Sequence, residues 1–294
     1  MGLFDFFKSG TKKEEIINEK DRLMQPVEVV PDLFFPFVVA QYWDQIRETR
    51  LESIAIKATP SRDLTFQNSS FGHKPFLPAD FPYPTDKEGK PMFPLAQINF
   101  SEAPHLHGYP TSGYLQFYIS ASDGSMGINY DNFQSQENFR VLYFEEGAIT
   151  RHQTGFPFLN EMYENGNLPL AEPFYLEFST KTEYVGLGDV RRETSGNFDL
   201  TDLLDKYPIA SREIEEFIYE NFAPNGHKIG GYAFFTQEDP RIYDEKIKDF
   251  ILLLQIDTDN HIMWGDSGVG NFFIHPDDLA KKDFSKVAYS WDCC

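Results

Sequence analysis

A mainly antiparallel α+β fold, arranged as two related lobes with flanking helices, is what this 294-residue chain predicts. The first observation behind that expectation is an internal repeat. Phe71-Gly72-His73-Lys74-Pro75-Phe76 precedes Leu95-Ala96-Gln97-Ile98-Asn99, and Ile229-Gly230-Gly231-Tyr232-Ala233-Phe234 precedes Leu253-Leu254-Gln255-Ile256-Asp257. The spacing from Gly72 to Gln97 and from Gly230 to Gln255 is 25 residues in both copies. Each Gln segment leads to another strand-like one, 113–119 and 268–274. Repetition at this scale implies related β-units that pack against each other. The second observation is the aromatic content, 29 Phe, 15 Tyr and 3 Trp, because flat side chains pack well on a pleated surface. The third is that helical periodicity is confined to a few short segments between strand-like runs.

Taken in order, residues 12–24 are charged and helix-permissive. Phe37–Arg50 reads as one helix, with Val38, Tyr42 and Ile46 four apart. Ile54 and Ile56 alternate with Ala55 and Lys57 as a strand that Pro60 ends. The six prolines between Pro75 and Pro94 predict an extended loop. Strands follow at Leu95–Phe100, Tyr114–Ile119, Phe139–Tyr143 and Phe174–Phe178. Ser211 is placed to cap a helix with Ile214, Phe217, Ile218 and Phe222 on one stripe, and Pro224-Asn225-Gly226 stops it. Further strands are expected at Tyr232–Phe235, Phe250–Ile256, Val269–Ile274 and Val287–Trp291, with a short helix opening at Pro276. Residues 1–30 read as a loosely ordered arm and 31–294 as a single domain, its repeats at about 53–180 and 211–292.

Composition excludes several functions. The formal charge is −20, and residues 1–25 balance five Lys/Arg against five Asp/Glu, so the body carries all of it. Such a field repels phosphate backbones and argues against nucleic acid, whereas a basic protein partner suits it. No apolar run is long enough to span a bilayer. The only cysteines are the adjacent Cys293 and Cys294, so no disulfide framework exists, as expected of a reducing cytoplasm. The first residues, Met1 to Lys8, place an acid within a very short apolar stretch and do not form a signal peptide.

Along a strand side chains alternate faces, which puts Gln97 with Asn99, and Gln255 with Asp257, on one side of an apolar strand. Two readings stay open. The groups converge, together with Asp266 and Ser267, into a polar cleft between the repeats, or each amide satisfies backbone groups of a neighbouring loop. Gly265-Asp266-Ser267-Gly268 echoes a protease nucleophile segment, but Val269 follows and no base has a matching context. Asp257-Thr258-Asp259-Asn260 starts like a calcium loop, yet Gly268 stands where the bidentate Glu belongs. The seven scattered His complete no zinc-like set, and no phosphate or dinucleotide loop is present. No cofactor, metal or catalytic residue is therefore expected.

Ser70 to Pro78, Pro82-Tyr83-Pro84-Thr85-Asp86, Leu95 to Phe100 and Gly113 to Ile119 stand in one order with His227 to Tyr232, Gln237 to Arg241, Leu253 to Asp257 and Gly265 to Ile274. In that order the motifs resemble the YwqG family of bacterial proteins over about residues 35–290. His73 departs from the pattern, since many members carry a second Gly there. The resemblance implies an α+β fold, no established catalytic residues and an immunity or adaptor role beside a bacterial toxin, for which an acidic body would suit a basic target. The expectation is a cytoplasmic, non-catalytic protein-binding module. The alternative is a small-ligand-binding protein or enzyme that uses Gln97, Asn99, Gln255, Asp257, Asp266 and Ser267 around a cleft between the repeats.

Overall fold

In the computed structural model, which describes residues 19–186, 188–193 and 201–294, the chain divides into two compact units. The first is built from the described residues up to Leu51 together with those between Glu183 and Ala223, and the second from Glu52–Thr182 with Pro224–Cys294. The apolar start at Leu3–Phe7 lies outside the described residues.

In the first unit, residues 19–23 are helical (α1), and β1 (Pro26–Val30) pairs antiparallel with β2 (Leu33–Pro36). Part of the stretch read as an arm is thus a strand. The helix expected over 37–50 is two short ones, α2 (Phe37–Ala40) and α3 (Trp43–Glu48), with Val38, Val39 and Ile46 buried. After α4 (Phe158–Asn165) of the second unit, α5 (Thr201–Lys206) and α6 (Ser211–Phe222) complete this core. The fourfold spacing of Ile214, Ile218 and Phe222 buries one stripe of α6, as the sequence leads one to expect. The cap differs, because Ser211 is the first helical residue and its hydroxyl donates to the Pro208 carbonyl at 3.3 Å. Phe35 anchors the unit, with edge-on contacts at 5.3–5.4 Å to Trp43, Phe217 and Phe222.

The second unit holds a sheet of ten strands among the described residues, in the order β12-β11-β10-β9-β3-β8-β4-β5-β6-β7. They are β3 (Leu51–Pro60), β4 (Ser70–Phe71), β5 (Phe93–Asn99), β6 (Tyr114–Ile119), β7 (Phe139–Phe144), β8 (Phe174–Glu183), β9 (Lys228–Gly230), β10 (Ile251–Asp257), β11 (Val269–Ile274) and β12 (Ala288–Asp292). Each pairing with a defined register in this sheet is antiparallel. The short helix α7 (Pro276–Ala280) joins β11 to β12. No strand forms at Tyr232–Phe235. Gly230 and Gly231, at φ +70° and +72°, turn the chain out of the sheet after β9. Gly72 does the same after β4 at φ +69°, where a Cβ would strike the Tyr163 hydroxyl and Leu170. The repeated glycines thus mark the points where a strand becomes a segment that covers the sheet.

The sheet curls until its ends nearly meet. Tyr289 N–H on β12 donates to the Phe133 carbonyl at 2.9 Å, its hydroxyl to Met126 at 3.1 Å, and the Trp291 indole to Ser125 at 2.7 Å. These acceptors lie in the connection from β6 to β7, which closes off the exposed edge of β12. Inside the curl, Phe117 meets Phe272 at 4.8 Å, and Phe272 stacks on Tyr289 at 4.5 Å beside Phe139. All four rings are buried. Replacing Phe272 by Ala is expected to destabilise the second unit by about 3–5 kcal/mol through cavity formation. The half-exposed Tyr175→Ala should stay within about 0.5 kcal/mol. Urea unfolding followed by tryptophan fluorescence compares the two.

Candidate functional site

Gln97 is almost wholly buried on β5, and both ends of its amide are occupied. Oε1 accepts from Phe76 N–H at 2.8 Å, while Nε2 donates to the carbonyls of Phe66 and Asn68 at 2.8 and 2.9 Å. Gln255 on β10 repeats the set. Oε1 accepts from Phe234 N–H at 2.8 Å, and Nε2 donates to Pro224 at 2.9 Å and Gly226 at 2.8 Å. Every partner lies at the same distance along the chain from its glutamine: 21, 31 and 29 residues back. The bulges match as well, between Pro94 and Ala96 on β5 and between Leu252 and Leu254 on β10. Each glutamine therefore pins a non-strand segment across one face of the sheet, supplying the acceptor and donors that a missing strand would have supplied.

The two amides do not meet in a common cleft. In sheet order β9, β3, β8 and β4 stand between β10 and β5, and each amide is turned to its own covering segment. Asn99 bonds locally, donating to Gln67 at 3.1 Å and accepting from Ser101 N–H at 3.1 Å. Asp257 accepts from the N–H of Gly226 at 2.6 Å and of Thr258 at 2.8 Å. Asp266 and Ser267 are exposed in the β10–β11 connection, Ser267 at φ +59°. His227 Nδ1 accepts from Asp257 N–H at 2.9 Å, so its proton sits on Nε2, facing Asp259 at 3.2 Å. That arrangement ties up both ring nitrogens and fixes a turn rather than priming a base. Asp259 also accepts from His261 and Ile262 N–H. No cluster of three His, Cys, Asp or Glu suited to a metal occurs among the described residues.

What the first covering segment leaves open is a cleft of about 300 Å³ lined by Thr65, Phe66, Gln67, Phe76, Ile149, Thr150 and His152. Its position follows from the glutamine: the Gln97 amide holds Phe66 by its carbonyl and Phe76 by its N–H. Gln116 adds a bond from Nε2 to the Phe76 carbonyl at 2.8 Å. The far wall is stitched on by Ala79 N–H to Arg151 and Gln153 N–H to Leu77, both at 2.9 Å. The lining is aromatic, with His152 4.7 Å from Phe66 and 5.2 Å from Phe76, and Tyr114 5.0 Å from Phe76. Burial, reinforced by the charges of Glu102 and Glu146, pushes the Tyr114 hydroxyl pKa up. Glu102 itself accepts from Ser69 N–H at 2.7 Å. Burial and neighbouring Lys74 push His73 down, favouring the neutral imidazole. The cleft thus combines the faces of Phe66, Phe76 and His152 with polar Thr65, Gln67 and Thr150. Sequence reading missed it, since Ile149 and His152 lie far along the chain from Phe66 and Phe76.

Removing the pin should cost more than one hydrogen bond. Gln97→Ala and Gln255→Ala are each expected to destabilise by about 2–4 kcal/mol, because several buried backbone groups lose partners together. The near-isosteric Gln97→Glu should be as harmful, since a carboxylate cannot donate to Phe66 and Asn68. Thermal denaturation of the three variants checks both statements. Stability should also fall in acid. Burial opposes ionisation of Asp86, yet N–H groups of Lys90 and Glu88 and the hydroxyls of Ser120 and Ser122 hold its pKa below the ordinary value. Asp259 is likewise held low by His261, Ile262 and His227, against burial. A depressed folded-state pKa contributes stability above the unfolded value and loses it as pH falls through the folded one. The melting temperature should therefore drop below about pH 4, and less steeply in Asp86→Asn.

Residues 69–293 match the family model described as a domain of unknown function, DUF1963. No curated protein matches the chain.

Proposed function

From the premise that this chain belongs to the DUF1963 family of unknown function, we propose that it is a non-catalytic binding protein whose aromatic cleft takes a basic segment of a protein partner. The carrying observation is the division of labour around Gln97. The amide is used up on backbone, while the Phe66 and Phe76 rings that it positions line a cleft with His152. Aromatic faces attract guanidinium or ammonium groups through their ring quadrupoles. The net charge of −20 adds long-range steering toward a basic partner. An immunity or adaptor role against a basic toxin, in a cytoplasmic YwqG-like protein, is the form of this reading that the motif resemblance favours. The alternative, a small-ligand site or enzyme between the repeats, has less support, because Gln97 and Gln255 each face their own covering segment.

The test uses an acetylated Lys/Arg-rich peptide and its Glu-substituted counterpart, followed by calorimetry and by the imidazole NMR signal of His152. The basic peptide should bind, shift that signal and weaken as salt is added, and Phe66→Ala should raise its Kd by about tenfold. Equal binding of both peptides, or indifference to Phe66→Ala, overturns the proposal.

A further inference from the structure

A second cleft in the second unit, of about 380 Å³, is walled by three pieces of chain. Lys90 and Pro91 form one wall, at the end of the turn that leads into β5. Ala121 and Ser122, just past β6, form another. The third is α4, through Phe158, Glu161, Met162 and Asn165, which the helical repeat places on one face.

The three walls are fastened to one another. Asp86 is buried and fully bonded, with Oδ1 accepting from the N–H groups of Glu88 at 3.0 Å and Lys90 at 2.9 Å. Its Oδ2 accepts from the hydroxyls of Ser120 and Ser122, both at 3.1 Å. One carboxylate thus fixes the Lys90 turn against the end of β6. The end of α4 is held to the same place by Asn167 N–H, which donates to the Ala121 carbonyl at 3.2 Å. At its start Phe158 packs on Tyr83, the rings 4.7 Å apart. A cleft fixed in this way loses little conformational freedom when a ligand enters.

The lining carries both charges. Lys90 gives one of its three N–H groups to Glu88 at 2.8 Å, and that bond holds its pKa above the ordinary value. Since Lys90 pairs with Glu88, Glu161 is left for a ligand. Neither Glu161 nor Asn165 makes a side-chain hydrogen bond or ion pair among the described residues. Ser122 spends its proton on Asp86, so toward the cleft it can only accept. Pro91, Ala121, Phe158 and Met162 add apolar surface.

We propose that this cleft binds a small zwitterion, an apolar amino acid or dipeptide. Glu161 takes its ammonium group, with Asn165 Oδ1 and Ser122 Oγ as further acceptors. Lys90 takes its carboxylate, and Phe158 and Met162 take the apolar side chain. A ligand of one sign alone would leave a charged wall unmatched. At about 30 Å³ per water-sized group the cleft holds about a dozen non-hydrogen atoms, which suits this size range. The site shares no lining residue with the aromatic cleft of Phe66 and Phe76, so the two proposals stand or fall separately.

Leucine and alanyl-leucine are titrated by calorimetry, each beside its N-acetyl and amide derivatives. At least one of the two zwitterions should bind saturably with a Kd of about 1 mM or tighter, and the tighter one gives the length of the ligand. Blocking either charged end should weaken binding by about tenfold. Glu161→Gln should remove the penalty for acetylation, and Lys90→Gln the penalty for amidation. Both side chains are exposed, so the variants should keep the parent's melting temperature. The absence of saturable binding by either zwitterion at millimolar concentration, or equal binding of the blocked forms, overturns the proposal. Binding that persists unchanged in both variants overturns it too, because the ligand then sits elsewhere.

Discussion

A buried side-chain amide that stands in for a missing strand is the interaction on which the second unit depends. A segment that crosses a sheet without joining it brings N–H and C=O groups that no ladder satisfies. One glutamine offers an acceptor and two donors, enough to hold three such groups at once. Gln97 does this for the Phe66–Phe76 region and Gln255 for the Pro224–Phe234 region. The glycines at 72 and 230 make the arrangement possible, since the chain must leave the sheet at a positive φ before it can run back over it.

Once the covering segments are fixed, the sheet has two differently treated faces. The inner one is closed by aromatic contact, with Phe117, Phe139, Phe272 and Tyr289 filling the curl. The other is polar at defined points, where Gln97, Gln116, Gln255 and Asn271 meet backbone rather than rings. This division explains how a chain so rich in Phe and Tyr carries a row of amides in its interior without loss of stability. Buried polar groups are tolerated when fully bonded, and the amides of the first half are.

Correspondence between the halves makes their differences informative. In the first half the polar row is completed by a tyrosine hydroxyl, and the openness has moved outward into the cleft of Phe66, Phe76 and His152. In the second half a shorter amide, Asn271, holds the Phe234 carbonyl, and Phe273 stands where Tyr118 supplies its hydroxyl. The acids differ in the same way: at turns, N–H groups outweigh burial and hold Asp86 and Asp259 low, whereas burial of Asp292 on a strand outweighs the N–H groups of Gln237 and Thr236 and raises its pKa.

Local order was legible in the sequence because it rests on short-range chemistry. Short aromatic-rich apolar runs set the strands at 114–119 and 269–274, the fourfold stripe of Ile214, Ile218 and Phe222 set α6, and the equal Gly-to-Gln spacing put each glutamine on a strand that follows a positive-φ glycine. One misreading was local too: two consecutive glycines at positive φ removed the strand expected at Tyr232–Phe235. The positions of Gln97 and Gln255 on strands were readable, as was the choice between a shared cleft and loop-binding amides. Which of the two holds was decided by sheet order and by what faces each amide across the fold. The same is true of the aromatic cleft, which joins residues 65–76 to 149–152. Residue type and spacing determine what a segment can become. Which distant segments then meet depends on register, bulges and the path of the covering loops, and those are properties of the folded chain alone.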